Sequence, residues 1–564
     1  MNKRLLECVP NISEGRDKEK IKAVTDVIEA SEGVQLLDVD PGASTNRTVI
    51  TFVGDPDSVI DTAFRVIQKA AEVIDMSQHS GEHPRFGATD VCPLIPISGI
   101  TMEETAAYAR KLGERVGQEL GIPGYFYENA ATSEKRRNLA YCRQGEYEGL
   151  EKLSKPEWKP DFGPAEFNEN VKKSGAVAIS ARDFLVAYNI NLNTTSTRRA
   201  NAIAFDIREA GRVKREGDPL TGKIVTDNDG EPERIPGTLK AVKGIGWFIE
   251  EYGIAQLSLN LTNISITSVH AAFEEASEKA RERGIRVTGS EIVGLIPLKA
   301  MIDAADYFLK KQERSLGIDE SEKIKIAVKS MGLDDLTPFH PDEKIIEYVM
   351  AKKQPARPLV NMTLTGFANE TASESVAPGG GSVSAYVGAM GVALGTMVAN
   401  LSSHKRGWDD RWEEFSEWAE KGQQYKEELM YLVDEDTNSF NGIMNAFRMP
   451  KDTDEEKAAR KQAIHDATKY AIEIPFRVME VARDSMSVMR EMAEKGNPNS
   501  VTDAAVGALC ARTAVMGAYL NVKVNTMEFD DQNFVDDKLK KAVAIKKEAE
   551  QLEGEIVKMA ESKL

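Results

Sequence analysis

Hydrophobic spacing splits the chain into two regimes. Up to about residue 330, short runs rich in β-branched and aromatic residues alternate with longer amphipathic segments. The runs 34–39 (VQLLDV), 46–52 (NRTVITF) and 184–190 (FLVAYNI) have the composition and length of strands. Segments 56–74 and 101–120 repeat apolar residues every three or four positions, which predicts helices. The mixture predicts an α/β or α+β region. From residue 361 onward strand signals almost vanish, and long helical patterns predict an all-α region. The last helix places Ala542, Ile545, Ala549, Leu552, Ile556 and Met559 at four-three spacing. That stripe calls for a partner helix, in the same chain or in a second copy.

Proline and lysine punctuation places the boundaries. The stretch 155–160 (KPEWKP) precedes the strand-like run 184–190, and a second αβ set starts there, so a subdomain boundary falls near residue 180. Pro338, Pro341, Pro355 and Pro358 mark 331–360 as a connector. The expected organisation is therefore 1–180, 181–330, a linker 331–360, and 361–564. No internal sequence repeat links the two αβ halves. A polar excursion, 214–234, contains Asn228-Asp229-Gly230 and predicts a long surface hairpin or mobile loop. With 564 residues, the chain can bury the sizeable cores of about three or four domains.

Composition narrows the function classes. A net charge of −18 argues against a nucleic-acid partner, which needs a basic surface, but permits a local basic patch for a small anion. Residues 383–399 are almost uncharged and test a membrane reading. They carry Ser384, Tyr386 and Thr396 in a chain that is otherwise 29% charged, so a helix buried all round is expected instead of a membrane span. Cys8, Cys92, Cys142 and Cys510 lie far apart in sequence without a CxxC pair. This predicts reduced thiols, with neither a disulfide framework nor a zinc site. The start, MNKRLLECVPNISEGRD, has no signal-peptide pattern, and a cytoplasmic location is expected.

The segment 76–88 (MSQHSGEHPRFGA) holds His79 and His83, two of only six histidines. Four residues apart on a helix they could share a metal, but Gly81 and Pro84 argue against a helix and no third ligand is near, so no metal is expected. A proton-shuttling loop histidine and a hydrogen-bonded structural one both fit these residues. The segments ECVPNISEGRD, LLDVDPGASTNRTVITFVG, HSGEHPRFGATDVCPLIPI and YENAATSEKRRNLAYCRQGEYEGL, with WKPDFGP, AYNINLN, KGIGW and VGLIPLKA, resemble the formiminotransferase domain family through nearly all of 1–330. The resemblance implies two ferredoxin-like αβ subdomains with folate between them. The family's GEHPR histidine, a proton donor and acceptor, falls on His83, and His79 also matches. Asp40 is a candidate to orient that imidazole, although an Asp before Pro41-Gly42 also reads as a turn former. The family's folate-contacting stretches fall on 163–175 and 237–246, bringing in Gly163, Pro164, Gly175, Gly237, Lys240, Lys243, Gly244 and Gly246. The excursion 214–234 and extra residues at 169–173 depart from shorter family members.

A second constellation begins at Ala377-Pro378-Gly379-Gly380-Gly381-Ser382. Glycines permit close approach of a ligand, and a helix N-terminus offers N–H groups to an anion, yet a capping turn before a packed helix explains the run equally well. The acids of 432–440 (LVDEDTNSF) read by spacing alone as a solvated helix face. FANETASESVAPGGGSVSAYVGAMGVALG, LVDEDTNSFNGIMNAFRMPK and GNPNSVTDAAVGAL resemble the cyclodeaminase family across 361–530, an all-α dimerising bundle. The resemblance implies Asp436 as the catalytic acid, with Asp434 and Asp503 in support and Gly379, Gly380, Gly381 and Ser382 at the folate.

The fold expectation is thus multidomain, α+β and all-α: two ferredoxin-like αβ subdomains followed by an all-helical cyclodeaminase bundle. The implied activity transfers a formimidoyl group from N-formimidoyl-L-glutamate to tetrahydrofolate, then closes the adduct to 5,10-methenyl-tetrahydrofolate with release of ammonia, a step of histidine breakdown. Small-molecule substrates are implied, with tetrahydrofolate as co-substrate, retained in polyglutamylated form, and a homo-oligomer built through both domain types. Nucleic acid, membrane and metal are not expected. Lys135, Arg136, Arg137 and Arg143 could hold a polyglutamate tail, or form a solvated helix face. A glycine-directed transferase and a folate-binding scaffold without turnover stay open as alternatives.

Overall fold

The computed structural model describes residues 4–42, 46–80, 85–217, 222–227, 230–351, 358–527 and 529–564. The chain divides into two compact units, Met1–Ala300 with Met331–Lys353, and Met301–Ser330 with Gln354–Leu564.

The first unit opens with a seven-stranded sheet: β1 (Leu5–Cys8), β2 (Asn11–Ile12), β3 (Val34–Gly42), β4 (Arg47–Gly54), β5 (Thr89–Ser98), β6 (Gly124–Glu128) and β7 (Val177–Ala181). The order β3–β4–β1–β5 is antiparallel throughout, and β2 continues the line of β1 between the same two neighbours. Helices Lys18–Glu29 and Pro56–Val73 make the crossovers. A βαββαβ unit with this order is ferredoxin-like. Two further strands, which the hydrophobic pattern did not reveal, extend it: β7 pairs parallel to β5, and β6 parallel to β7. Parallel pairing needs a long crossover, supplied here by helix Met102–Arg115 and its continuation Val116–Leu120.

Local chemistry sets these helices. Asp55 caps Pro56–Val73 by accepting from the Ser58 N–H, and Pro56 occupies the first turn, where a missing N–H costs nothing. Val59, Ala63, Phe64, Ile67 and Ala70 then bury one face. Thr101 and Glu104 form a reciprocal capping box for Met102–Arg115.

The second αβ set contains β8 (Val186–Leu192), β9 (Arg212–Val213), β10 (Arg234–Ile235), β11 (Val242–Ile249), β12 (Ile254–Leu261) and β13 (Val287–Val293). Its four-stranded sheet runs β11–β12–β8–β13, all antiparallel, with helices Thr197–Ile207 and Val269–Arg281 as crossovers. Strand for strand, this is the order of the first set. The excursion 214–234 is a hairpin: β9 pairs with β10, and bridges Arg215–Ile224 and Thr226–Pro232 continue the ribbon. Asn228 and Asp229 of its turn signal lie outside the described residues.

The stretch read as a connector is only partly one. Met331–Lys353 belongs to the first unit, where Ile345 and Ile346 are fully buried and Ile345 bridges Ile296. Pro341 is no breaker here, because it sits in the first turn of the short helix Pro341–Lys344. Residues 352–357 lie outside the described residues.

The second unit is helical. Gly380–Ser403, Trp412–Arg448, Asp454–Lys495, Val501–Thr526 and Gln532–Glu561 form the bundle, joined by the end of helix Leu298–Lys311 and by Glu320–Met331. Glycines let two of the helices touch backbone to backbone: a Cβ on Gly391 would stand 2.7 Å from the Gly507 carbonyl oxygen, and one on Gly507 2.6 Å from that of Gly391. The last helix buries Ala542, Ile545, Ala549 and Ile556 against Asp454–Lys495 and Val501–Thr526 of the same chain, which settles where its partner lies. Gly380–Ser403 is long and apolar enough to cross a membrane, as is the segment Pro498–Thr526. Gly380–Ser403 buries fourteen residues in the bundle. Burial all round is corrected, however: Met390 is 48% exposed and Met397 39%.

Two outcomes check this packing. Glu7 of β1 is fully buried, and desolvation pushes its carboxyl up to about 7 against the opposing pull of Arg182. The folded state holds that proton above the unfolded carboxyl's range, so Glu7 costs stability progressively as pH rises from about 4.5 to 7. Glu7→Gln should flatten this part of the pH–stability curve and stabilise the first unit by up to about 3 kcal/mol at pH 8, read by urea unfolding. Gly391→Val should lower the melting temperature of the helical unit through overpacking of about 1–3 kcal/mol, read by calorimetry.

Candidate functional site

A cavity of about 910 Å³ opens in the first unit, with walls from both αβ sets. Five cations line it: Arg47, Arg137, Arg143, Arg182 and Lys243. Among the described residues, two acids face them on the lining, Glu128 and Asp183. Asp183 is itself engaged by Asn263 Nδ2 at 2.7 Å. In a chain of net charge −18, such a concentration of positive charge marks a site for an anion. Beneath it Asp90, 1% exposed, meets Arg47 Nη1 at 3.2 Å and Arg143 Nη2 at 3.1 Å, both through Oδ2. Arg47 also donates to Asn11 Oδ1 from Nε at 3.0 Å and Nη2 at 2.6 Å. Burial raises the Asp90 carboxyl while Arg143 and Arg47 pull it down; burial also lowers the Arg47 guanidinium against the pull of Asp90.

The histidine-bearing loop lies beside the start of β4. Asn46, in the left-handed conformation at φ 50°, accepts on its Oδ1 from the Gly15 N–H at 3.0 Å and donates through Nδ2 to the Ser80 carbonyl at 2.9 Å. Its carbonyl meets His79 Nε2 at 3.0 Å. His79 is therefore a tethered loop histidine. Arg85 fastens the other end of the loop. It donates to the carbonyls of Met76 and His79, pairs with Glu148 at 2.6 Å, and lies over the Tyr147 ring at 4.6 Å. His83 lies outside the described residues, between these two anchors.

The remaining candidates of this half separate. Lys243 lines the cavity, whereas Lys240 is exposed and pairs with Glu209 at 3.7 Å. Asp40 is exposed within β3 opposite Val49 and does not line the cavity, and its turn reading is corrected because Pro41 and Gly42 continue the strand. Gly163, Pro164 and Gly175 lie away from the lining. A Cβ on Gly175, at φ 67°, would stand 2.4 Å from the Phe86 carbonyl, so this glycine serves the chain just after the histidine loop. Gly237, Gly244 and Gly246 are fixed by packing: added Cβ atoms would meet the Arg208 carbonyl at 2.0 Å, Leu259 Cδ2 at 2.5 Å and the Asn201 N at 2.3 Å. The basic run is not simply a solvated face. Arg136 pairs with the nearly buried Asp161, and Arg137 and Arg143 line the cavity.

In the helical unit the sequence-predicted residues converge more closely. Gly379 caps the helix Gly380–Ser403, and the Ser382 N–H donates to Asp436 Oδ2 at 2.9 Å, with Ser382 Oγ at 3.3 Å. A Cβ on Gly381 would stand 2.0 Å from Asp436 Oδ1, so the glycine is what lets this carboxyl reach the helix N-terminus. Burial raises the Asp436 carboxyl, and the Ser382 hydrogen bonds oppose it. Thr437 Oγ1 lies 3.3 Å from Ser382 Oγ, and Asn521 Nδ2 would be 3.3 Å from a Cβ on Gly380; both were missed in the sequence. Asp434 has a scaffold role: buried, it accepts from the N–H groups of Leu359 at 3.0 Å and Val360 at 3.4 Å. Asp503 stands 18 residues before Asn521 on one helix, about 27 Å along its axis, so a single chain does not bring it to Asp436.

Paired ferredoxin-like folds around a cation-lined cavity, and a helical bundle holding a carboxyl whose affinity for a proton burial raises at a helix start, define an enzyme with two separate centres for small anionic substrates. Comparison with known proteins is consistent with that arrangement. The formiminotransferase N-terminal subdomain family matches residues 5–182, the formiminotransferase domain family 187–351, and the formiminotransferase-cyclodeaminase family 363–544. Formimidoyltransferase-cyclodeaminase of Gallus gallus is 42% identical over 549 residues, 97% of each chain. Glutamate formimidoyltransferase of Thermoplasma acidophilum is 43% identical over 309 residues, 54% of this chain and 92% of that protein. Methenyltetrahydrofolate cyclohydrolase of Methylorubrum extorquens is 36% identical over 204 residues, 36% of this chain and 98% of that protein. The chain belongs to the formimidoyltransferase-cyclodeaminase family.

Ser382→Ala removes the hydroxyl donor from Asp436 but keeps the backbone N–H. The carboxyl should then titrate higher by less than about one unit, since one neutral hydrogen bond is worth roughly 1 kcal/mol. Carbon-detected NMR titration of the carboxyl would read this, and a downward shift would contradict the geometry.

Proposed function

We propose that the first unit moves the formimidoyl group of N-formimidoyl-L-glutamate onto N5 of tetrahydrofolate, and that the helical unit closes the adduct to 5,10-methenyl-tetrahydrofolate with loss of ammonia. The observation that carries this reading is the 42% identity along 97% of the chain to a formimidoyltransferase-cyclodeaminase, joined to two separate buried sites of the required character.

In the transfer, N5 attacks the amidine carbon and forms a tetrahedral adduct. His83 takes the proton from N5 and returns it to the glutamate nitrogen, and the bond from carbon to that nitrogen breaks. One imidazole can do both steps, and such a group typically contributes about 10²–10⁴-fold in rate. The flanking residues are anchored, His79 and Ser80 on Asn46 and Arg85 on Met76, His79 and Glu148, which supports a site at this segment. Cavity cations hold the carboxylates of donor and folate. Among the folate candidates, Lys243 on the cavity lining is supported by position and Lys240 is not.

In the closure, N10 attacks the formimidoyl carbon, and the N10 proton passes to the formimidoyl nitrogen. Asp436 in its protonated form gives a proton to the departing nitrogen, ammonia leaves, and the resulting carboxylate faces a cationic product. Burial supplies the raised affinity for that proton, and the Ser382 donors hold the anion that follows. Gly381 brings the carboxyl against the helix start, and the backbone of Gly379 and Gly380 beside it carries no side chain to bar a folate ring.

Homo-oligomerisation and polyglutamylated folate belong to the same reading. An exposed apolar stripe along Met390, Met397 and Leu401, beside Val506 and Leu509, supports a second copy of the bundle. The excess of cations in the cavity supports a polyanionic tail. Free thiols at Cys8, Cys92, Cys142 and Cys510 fit a reducing cytoplasm.

Full-length protein should convert formimidoyl-glutamate and tetrahydrofolate to methenyl-tetrahydrofolate and ammonia, followed by near-ultraviolet absorbance and a coupled assay. His83→Ala should abolish transfer while sparing closure of supplied 5-formimidoyl-tetrahydrofolate, and Asp436→Asn should do the reverse. Loss of both activities in either folded variant would contradict two independent centres. Folate binding without any turnover would favour a scaffold.

A further inference from the structure

We propose that the side-chain carbonyl of Asn521 accepts a hydrogen bond from the formimidoyl nitrogen of the folate adduct during closure, beside Asp436, and so turns that nitrogen toward the acid and holds it as it departs. The proposal rests on the cyclodeaminase reading of the helical unit and adds a substrate-contacting residue to it.

Two adjacent glycines locate both side chains. The three atoms nearest a Cβ on Gly380 all belong to the Asn521 amide, Nδ2 at 3.3 Å, Oδ1 at 3.7 Å and Cγ at 4.0 Å. Those nearest a Cβ on Gly381 all belong to the Asp436 carboxyl. Successive helix residues point about 100° apart, so amide and carboxyl approach the first turn of Gly380–Ser403 from neighbouring directions. Gly517 allows the approach: a Cβ there would stand 2.2 Å from Ser384 Oγ, which itself donates to the Gly380 carbonyl at 2.6 Å. The amide is also held in orientation. Its Nδ2 donates to the Gly517 carbonyl at 2.9 Å, which assigns the nitrogen and leaves Oδ1 as the accepting end. Asp436 likewise spends Oδ2 on the Ser382 donors and keeps Oδ1. Among the described residues neither Oδ1 accepts a hydrogen bond from the chain, and both side chains are half-buried. A molecule lying over 379–381 thus meets one neutral acceptor and one acid.

The reaction explains why an acceptor is wanted there. As N10 bonds to the formimidoyl carbon, the π pair between that carbon and the formimidoyl nitrogen moves onto the nitrogen. The nitrogen takes the N10 proton and the Asp436 proton, its bond to carbon breaks, and ammonia leaves while the N5 pair restores the double bond of the methenyl cation. The nitrogen therefore gains N–H donors and positive character along the path, and a fixed acceptor holds it more tightly in the transition state than in the ground state. An amide oxygen suits the task because it is neutral, so it accepts from the nitrogen without drawing the proton from Asp436. Held on one side by Asn521, the nitrogen presents its lone pair to the acid.

The test uses the full chain with Asn521→Ala and Asn521→Asp. Closure of supplied 5-formimidoyl-tetrahydrofolate is followed by near-ultraviolet absorbance. Tetrahydrofolate, which has no formimidoyl nitrogen, is titrated as an inhibitor of that closure. Asn521→Ala should lower kcat about 10- to 100-fold, the worth of one hydrogen bond to a charged group, and leave the tetrahydrofolate inhibition constant within about twofold. Both variants lose the donor to Gly517, but only Asn521→Asp keeps an acceptor in place, so it should retain at least about fivefold more closure activity than the alanine variant. Equal losses in the two variants would assign Asn521 to holding its helix and overturn the proposal. So would a weakening of tetrahydrofolate inhibition in step with the loss of closure, which would place the contact on the folate ring. If the alanine variant does not fold, Asn521→Leu, which keeps the volume, takes its place. Absence of closure in wild type would overturn the cyclodeaminase reading and this assignment with it; wild-type closure that neither variant alters would overturn this assignment alone.

Discussion

Taking a carboxyl out of water is costly unless something answers its charge, and both centres of this protein are organised around one that was. Asp90 is answered by two arginines from different parts of the chain, Arg47 at the start of β4 and Arg143 after the short helix Leu139–Cys142. Asp436 is answered by the N–H and hydroxyl of Ser382 at a helix start, with Gly381 giving way to admit it. Much of the surrounding architecture keeps these acids in place. β4 and β5 stand on opposite sides of β1 and β2, and the long helices of the bundle hold Asp436 against the turn at 379–382.

The two answers differ because the tasks differ. Where guanidiniums meet a buried carboxyl, their pull on it opposes the cost of burial. Where neutral donors meet one carboxyl, burial still raises its hold on a proton against their opposing pull. One chain thus gives two buried carboxyls of the same residue type different electrostatic settings by varying what surrounds them. Their placement in separate compact units fits a sequence of two reactions in which the product of the first is the substrate of the second.

Duplicate architecture is concealed in the first unit. Both αβ sets run their strands in one order with two crossover helices, yet no repeat is legible between their sequences. Sheet order depends on which positions are buried and on the lengths of the connections, and many residues satisfy each. The first set also carries β6 and β7, so its length masks the match.

The sequence by itself determined the elements and the motifs. Periodicity foretold the helices near 56–74 and 101–120 and the all-helical end, because spacing of apolar side chains is a local property. Resemblance pointed to Asp436, Ser382 and the glycines before it, which the fold does bring together. Only tertiary structure decided the rest. It placed Arg47, Asp90 and Arg143 in one cluster, moved Lys240 out of the cavity and kept Lys243 in it, gave Asp434 a scaffold role, and put Asp503 at the far end of its helix. It also turned most of the expected connector into part of the first unit. The physical reason is that charge and burial are set by neighbours distant in the chain: Arg47 and Asp90 stand 43 residues apart in sequence and 3.2 Å apart in space.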